Sequence, residues 1–359
     1  VRLLRQKRMV TSMREPLLEI QHLKKFFPIQ KTLSGKVNGY VQAVNDVSFT
    51  VGEQETVGLV GESGCGKSTV GNCILRLLDP DSGKILYHDG QGGTVDLATL
   101  SQKALLPYRR KIQMIFQDPY SSLDPRMTTR DIISEPLITF RACPKSEMKN
   151  RVAELMQKVG LRPEYMQRYP HAFSGGQRQR IGIARAIALN PRFIVCDESL
   201  SSLDVSVQAQ ILDLLAQLRE EYRMSYLFIA HDLSVVKHLC DKVVVMYVGK
   251  VFEVAETADL YARPLHPYTE ALLSSVPKTN QGKRTHRTVP EGEVPDPSKP
   301  PAGCYFHPRC PYATPECQEC DQTLHEVAGP DGRIRYTSCL RYEELSLQGI
   351  EDEGGEESE

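Results

Sequence analysis

Short apolar runs alternate with stretches of helical periodicity along most of this chain. Leu18-Glu19-Ile20-Gln21-His22-Leu23 and the segment from Ala43 to Val51 alternate between apolar and polar over most of their length. That period of two predicts strands with one buried face. A polar stretch around Ser34-Gly35-Lys36 reads as the loop between them. Thr56-Val57-Gly58-Leu59-Val60, Ile112-Gln113-Met114-Ile115-Phe116, Phe193-Ile194-Val195-Cys196 and Tyr226-Leu227-Phe228-Ile229-Ala230 are close to continuously apolar. Such runs predict strands covered on both faces, as in a parallel sheet. Ser82 to Tyr87 predicts a turn into a further strand.

Helical spacing separates these runs. Val70, Ile74, Leu77 and Leu78 predict one helix, stopped by Asp79-Pro80. Ile181, Ile183, Ala184, Ile187 and Ala188 predict the buried face of another, with Ser174 as its cap and Asn190-Pro191 as its end. A third covers about Gln208 to Tyr222. From Asp118 to about Pro170 the pattern is helical after a turn-rich entry, which reads as an insertion into the α/β core. Strands alternating with helices predict an α/β fold with a largely parallel sheet. Past Val254 the alternation fades, and residues 277–303, rich in Pro, Gly and charge, read as a linker or extended arm. The division is then a basic extension over 1–16, a main domain over 17–275 with a helical subdomain near 118–170, a cysteine-containing extension over 276–345, and an acidic, disordered tail over 346–359.

Composition changes this picture little. With 359 residues, 40% hydrophobic and 25% charged, the chain is an ordinary globular one with room for two or three domains. A net charge of −1 gives no support for nucleic acid or a membrane surface as the main partner. The basic N-terminus has no apolar stretch after it, so it is not read as a secretion signal. Of the ten cysteines, five are scattered (Cys65, Cys73, Cys143, Cys196, Cys240) and five gathered late (Cys304, Cys310, Cys317, Cys320, Cys339). In the reducing compartment this implies, the late group reads as metal or iron–sulfur ligation before disulfides.

The chemistry centres on Gly61-Glu62-Ser63-Gly64-Cys65-Gly66-Lys67-Ser68-Thr69, which fits G-x-x-x-x-G-K-[ST] between a strand and a helix. Glycines let the backbone turn its N–H groups onto phosphate oxygens. Lys67 adds a charge for the outer phosphates, Ser68 a hydroxyl for Mg²⁺, and the helix N-terminus its partial positive charge. In an open α/β sheet, ligands sit beyond the carboxyl ends of the strands, where Gln117, Asp197-Glu198 and His231 fall. Adjacent carboxylates there repel by about 4 kcal/mol at ~4 Å and an effective dielectric of ~20; a nucleotide's Mg²⁺ removes the objection. Asp197 is therefore the candidate metal-side acid and Glu198 the candidate base orienting water at the γ-phosphate. Gln117 is a candidate for Mg²⁺ or the water, His231 for the γ-phosphate or the water. Ser174-Gly175-Gly176-Gln177 is a second anion-binding turn. One nucleotide cannot sit in both turns of one chain unless they are neighbours; otherwise the second serves a nucleotide held by another subunit.

The phosphate loop, Gln117, Phe173-Ser174-Gly175-Gly176-Gln177, Asp197-Glu198, Ser201-Ser202-Leu203-Asp204 and His231 occur in that order. The set resembles the ATP-binding subunits of ABC transporters over roughly residues 17–275. The resemblance implies a P-loop NTPase core, RecA-like, with N-terminal antiparallel strands and a helical insertion. It implies a head-to-tail dimer with ATP between the Gly61–Thr69 loop of one subunit and the Ser174–Gln177 turn of the other. Gln117, Asp197 and Ser68 would face Mg²⁺, Glu198 would be the base, Asp204 would reach across the dimer, and His231 would be the switch. Phe27 would stack on adenine, although its chemistry alone suits core as well.

Gln117 to Arg126, Tyr169-Pro170-His171, His266 to Leu273, and Gly303 to Pro311 resemble the oligopeptide/dipeptide importer branch, most nearly its second ATPase. That implies a related but distinct ATPase partner in a heterodimer, two transmembrane permease subunits, an extracytoplasmic solute-binding protein, and a peripheral place on the cytoplasmic face of the membrane. Relatives in this branch also move nickel, glutathione or sugars. Cys304, Cys310, Cys317 and Cys339 match the tail of the branch, which implies a [4Fe-4S] cluster, with zinc as the alternative. Ser199 departs from the branch, where proline usually follows the glutamate, and Phe173 replaces leucine.

Overall fold

The computed structural model describes residues 15–31, 37–118, 120–199, 203–275, 290, 292–329 and 332–350. Ser201, Ser202, most of the basic N-terminal extension, residues 276–289 of the linker and the tail from 351 lie outside these described residues.

Two long strands, β1 (Pro16–Lys31) and β2 (Val37–Gly52), pair antiparallel. Next come β3 (Thr56–Val60), α1 (Lys67–Ile74), β4 (Ser82–His88), β5 (Thr94–Asp96), α2 (Gln102–Lys111) and β6 (Ile112–Ile115). The helical stretch holds α3 (Thr129–Thr139) and α4 (Met148–Lys158). Then follow α5 (Gly175–Ile187), β7 (Phe193–Asp197), α6 (Val205–Tyr222), β8 (Ser225–Ala230), α7 (Leu233–Leu239), β9 (Lys242–Tyr247) and β10 (Lys250–Glu256). The chain closes with α8 (Thr257–Ala262), α9 (Pro267–Ser274), β11 (His325–Ala328) and β12 (Ile334–Thr337).

Among the described residues one sheet has the order β2-β1-β4-β5 and is antiparallel; the other runs β11-β12-β10-β9-β3-β8-β7-β6. In the second, β9, β3, β8, β7 and β6 are parallel. Every residue of β3, β7 and β8 is buried, which is why their sequences are apolar without alternation. Their side chains still divide by face. Leu227 and Ile229 of β8 join the antiparallel sheet and α1, whereas Tyr226, Phe228 and Ala230 join α5, α6 and α7. Ile132, Ile133, Val152, Leu155 and Met156 of α3 and α4 share that second core with α5.

Two regions differ from the sequence reading. Helix α1 ends at Ile74, not at Asp79-Pro80. Arg76 adopts a left-handed φ of 53°, and the N–H groups of Leu77 and Leu78 both reach Asn72 O, so the chain unwinds before the proline. Leu77, counted in the apolar face, is exposed. The second difference is at the C-terminal end, where the extension adds strands to the main sheet. Strand β12 pairs with β10 through Glu253↔Thr337 and Val254↔Tyr336. The fully buried Glu253 carboxylate accepts from Leu265 N (2.9 Å), His266 N (3.0 Å) and Arg335 Nη2 (3.1 Å). An unpaired charge there would be costly, so the donors hold extension and core together. The linker, where described, lies against β2, with Gln42 N donating to Pro297 O at 3.1 Å.

Candidate functional site

Strand β3 delivers the chain into the Gly61–Thr69 loop, and α1 leaves it. Gly66 precedes the helix with φ 103°. A Cβ at Gly66 would stand 1.9 Å from Ala43 O, and one at Gly61 2.1 Å from Met246 O. Neither position admits a side chain, because backbone from β2 and β9 presses on the loop. Lys67 is buried, and its Nζ donates to Gly61 O (2.8 Å) and Glu62 O (3.0 Å). The ammonium thus sits inside the ring of loop atoms.

The carboxyl ends of the neighbouring strands supply the other groups. Ser68 Oγ donates to Asp197 Oδ1 at 2.8 Å, joining α1 to the end of β7. Burial raises the Asp197 carboxyl above its ordinary pKa; the Ser68 bond opposes this, and the charge of Glu198 adds to it. Such a carboxylate is well placed to gain from a cation. Glu198 takes a left-handed φ of 39°, with its N–H on Ile229 O at 3.0 Å. This turn carries its side chain to the group after β6: Gln117 Nε2 donates to Glu198 Oε2 at 2.8 Å. His231 Nδ1, after β8, lies 3.8 Å from the same oxygen. The structure therefore brings Lys67, Ser68, Asp197, Glu198, Gln117 and His231 to one edge of the sheet.

Other predicted residues lie elsewhere. Ser174 caps α5 with a reciprocal pair: its Oγ accepts from Gln177 N (3.3 Å), and Gln177 Oε1 accepts from Ser174 N (3.1 Å). Gly175 and Gly176 face Leu203 and Val207, where a Cβ on Gly176 would stand 2.5 Å from Val207 Cγ1. Among the described residues no hydrogen bond or ion pair links Ser174–Gln177 to Gly61–Thr69. Asp204 caps α6, accepting from Val207 N (3.0 Å) and Ser206 Oγ (2.7 Å), bonds that hold its carboxyl below the usual range. Phe27 is half-buried on β1, opposite Val41 and two residues from the Ala43 that abuts Gly66.

The late cysteines share a different site. Cys304, Cys310, Cys317, Cys320 and Cys339 line one cavity with His266, Phe306 and Ser338. Burial pushes the thiols of Cys304 and Cys339 up to about 12 and that of Cys310 to about 11. Among the described residues no group of three or more His, Cys, Asp or Glu is arranged to hold a metal ion. Among the described residues two buried atoms of lining residues have no partner, Ser338 Oγ and His266 Nε2; His266 Nδ1 accepts from Tyr268 N at 3.0 Å, which places the ring proton on Nε2.

Three contacts at the phosphate loop were not legible in the sequence. Arg309 forms a two-pronged ion pair with Glu62 (2.8 and 3.1 Å), its Nη1 also donates to Tyr247 Oη at 3.1 Å, and Glu62 N donates to Tyr268 Oη at 2.8 Å. These partners come from β9, α9 and the cysteine extension, and no local pattern connects residues 247 positions apart.

Comparison with known proteins identifies the family. Residues 44–201 match the ABC transporter family and residues 252–317 the oligopeptide/dipeptide transporter C-terminal region. The chain is 51% identical to the oligopeptide transport ATP-binding protein AppF of Bacillus subtilis, over 89% of this chain and 97% of that protein. It is 46% identical to a putative peptide import ATP-binding protein of Brucella ovis, over 91% and 98%. A dimeric ATP-binding cassette solved in a post-hydrolysis state with ADP and Pi superimposes with a TM-score of 0.58 at 28% identity, covering 67% of this chain and 98% of that one. The chain belongs to the ATP-binding subunits of ABC transporters, in the oligopeptide/dipeptide branch.

Proposed function

We propose that this chain binds MgATP at Gly61–Thr69 and, paired with a second ATPase subunit, hydrolyses it to drive peptide import through two transmembrane permease subunits. The observation that carries the reading is the convergence of Ser68, Asp197, Glu198, Gln117 and His231 beside the loop that holds Lys67. In this reading loop N–H groups and Lys67 bind the β- and γ-phosphates. Ser68, Asp197 and Gln117 hold Mg²⁺, which when bound offsets phosphate charge. Glu198 orients a water in line with the γ-phosphate and takes its proton as the terminal P–O bond breaks, giving ADP and phosphate. His231 keeps the carboxylate and the γ-phosphate aligned. Phe27 stacks on adenine.

The remaining donors come from the partner. The Ser174–Gln177 turn and Asp204 face a nucleotide held by the other subunit, a related ATPase in a heterodimer. Gln117 also lies at the permease contact. Exposed Phe116 and Tyr120 beside it sit against Arg185 and Arg178, two turns apart on α5, giving an aromatic face for docking. The dimer works at the cytoplasmic face of the membrane, below an extracytoplasmic solute-binding protein. No helix among the described residues is long and apolar enough to cross a membrane itself. The test is uptake into proteoliposomes carrying the whole complex. Short peptides should be imported with ATP, and Glu198→Gln should stop import while ATP still binds. Import of nickel, glutathione or sugar in place of peptide would overturn the substrate class.

A second reading concerns the cysteine cavity. Cys304, Cys310, Cys317 and Cys339 would hold a [4Fe-4S] cluster, with zinc as the alternative and Cys320 as a spare thiol. What supports the reading is that the five cysteines line one space, with the buried Nε2–H of His266 beside it and without a partner among the described residues. The cluster would supply a cross-link pinning the extension. Anaerobic purification with iron, sulfide and zinc analysis checks this; protein free of all three would end it.

A further inference from the structure

The cysteine extension meets the nucleotide site at one side chain. Arg309 lies between Cys304 and Cys310, in the short turn His307–Arg309. Its guanidinium, 8% exposed, forks onto both oxygens of Glu62 and leans on Tyr247 and Phe306. Phe306 packs in turn against Tyr247, Tyr268 and His266. Glu62 is the second residue of the phosphate loop and is held three times. Its carbonyl accepts from Lys67 Nζ, its N–H donates to Tyr268 Oη, and its carboxylate meets Arg309. The same residue thus ties the phosphate-binding lysine to the extension.

A carboxylate inside an anion-binding loop opposes the ligand the loop is built for. A bidentate arginine cancels that charge and fixes the side chain, which lysine cannot do in the same geometry. We propose that Arg309 is a positioning residue for ATP binding: from the C-terminal extension it holds the phosphate loop through Glu62 and masks that carboxylate from the triphosphate. The proposal rests on Gly61–Thr69 being the ATP site. It makes the extension part of the nucleotide pocket, so loosening the segment between Cys304 and Cys310 would be felt as weaker ATP binding.

The experiment is titration of the full-length chain with a fluorescent ATP analogue and its thermal melting, alongside steady-state ATPase kinetics of the assembled transporter. R309M should weaken binding about tenfold, the loss expected for one charge-assisted pair. KM for ATP should rise by a similar factor with kcat little changed. R309K should fall between R309M and wild type. The decisive variant is E62Q/R309M, which removes the unmasked charge and should recover most of the lost affinity. An arginine that only anchors the extension would lower the melting temperature and gain nothing from E62Q. Binding by R309M equal to wild type, or E62Q/R309M as weak as R309M, overturns the proposal. If R309M does not fold, R309K carries the test, and unchanged affinity there overturns it. K67A is the separate control: if it still binds the analogue, the ATP-site reading fails, whatever Arg309 does.

Discussion

The phosphate loop and the Ser174–Gln177 turn are built from the same parts, a glycine-containing turn feeding a helix N-terminus, yet they end in different conditions. In the first, Lys67 is buried among carbonyls, Ser68 is joined to Asp197, and β2, β9, α9 and the extension press on the loop from outside. In the second, the cap is satisfied within four residues, the glycines rest on Leu203 and Val207, and Ser174 is exposed. One turn is finished by its own chain. The other is capped within itself, and among the described residues no hydrogen bond or ion pair links it to the first. In the function proposed above, the nucleotide of a neighbouring subunit completes it.

The largest effect should come from the finished turn. Lys67→Ala should weaken ATP binding by about a hundredfold or more, since it removes a charge held in a desolvated ring. Equilibrium binding to the isolated chain reads this. Glu198→Gln should have a comparable effect, on turnover in place of binding, cutting it about 10²–10⁴-fold as expected for a general base, with ATP affinity kept or raised. Single-turnover hydrolysis separates the two. Ser174→Arg sharpens the comparison: turnover of the assembled complex should fall about a hundredfold, while ATP binding to the isolated chain stays within about twofold. A parallel loss of binding in the isolated chain would mean that the two turns serve one nucleotide after all.

The smallest effect concerns Asp197. Its folded pKa is raised, so it contributes its full stability below the ordinary carboxylate pKa and loses it as pH rises through the raised value. Above that value the ionised, buried group is a cost without a cation. Asp197→Asn should raise the melting temperature of the nucleotide-free chain by about 1–2 °C at pH 7, with the gain shrinking toward pH 4. It should also abolish the further rise that MgATP gives over ATP with EDTA.

Much of the nucleotide core was legible because the elements that carry it are continuous in sequence. Thr56–Val60, the glycine loop and Val70 to Ile74 form one strand–turn–helix, and Phe193 to Glu198 form another strand with its carboxylates attached. The end of α1 was not legible, since Leu77 and Leu78 keep the helical period while Arg76 breaks the backbone. Strands β9 and β10 were missed. Both are buried nearly throughout and joined by the tight Val248-Gly249 turn, so no alternation marks them. The reach of the extension was missed for a different reason. Strands β11 and β12 have four residues each, and in β12 the polar Arg335 and Thr337 are buried while Ile334 is exposed. The residues that anchor them, Glu253, Arg335, Arg309 and Glu62, are charged and read locally as surface. Their pairing is a tertiary fact, as is the gathering of Cys304, Cys310, Cys317, Cys320 and Cys339 around His266.

The most direct test is a structure of the assembled complex with the Glu198→Gln chain and MgATP. The γ-phosphate on this chain's Lys67 should be met from the facing ATPase subunit by that subunit's own serine–glycine–glycine turn, and this chain's Ser174 and Gly176 should meet the nucleotide of that partner. A triphosphate fully enclosed by this chain alone, with Ser174 still facing solvent, would contradict the account.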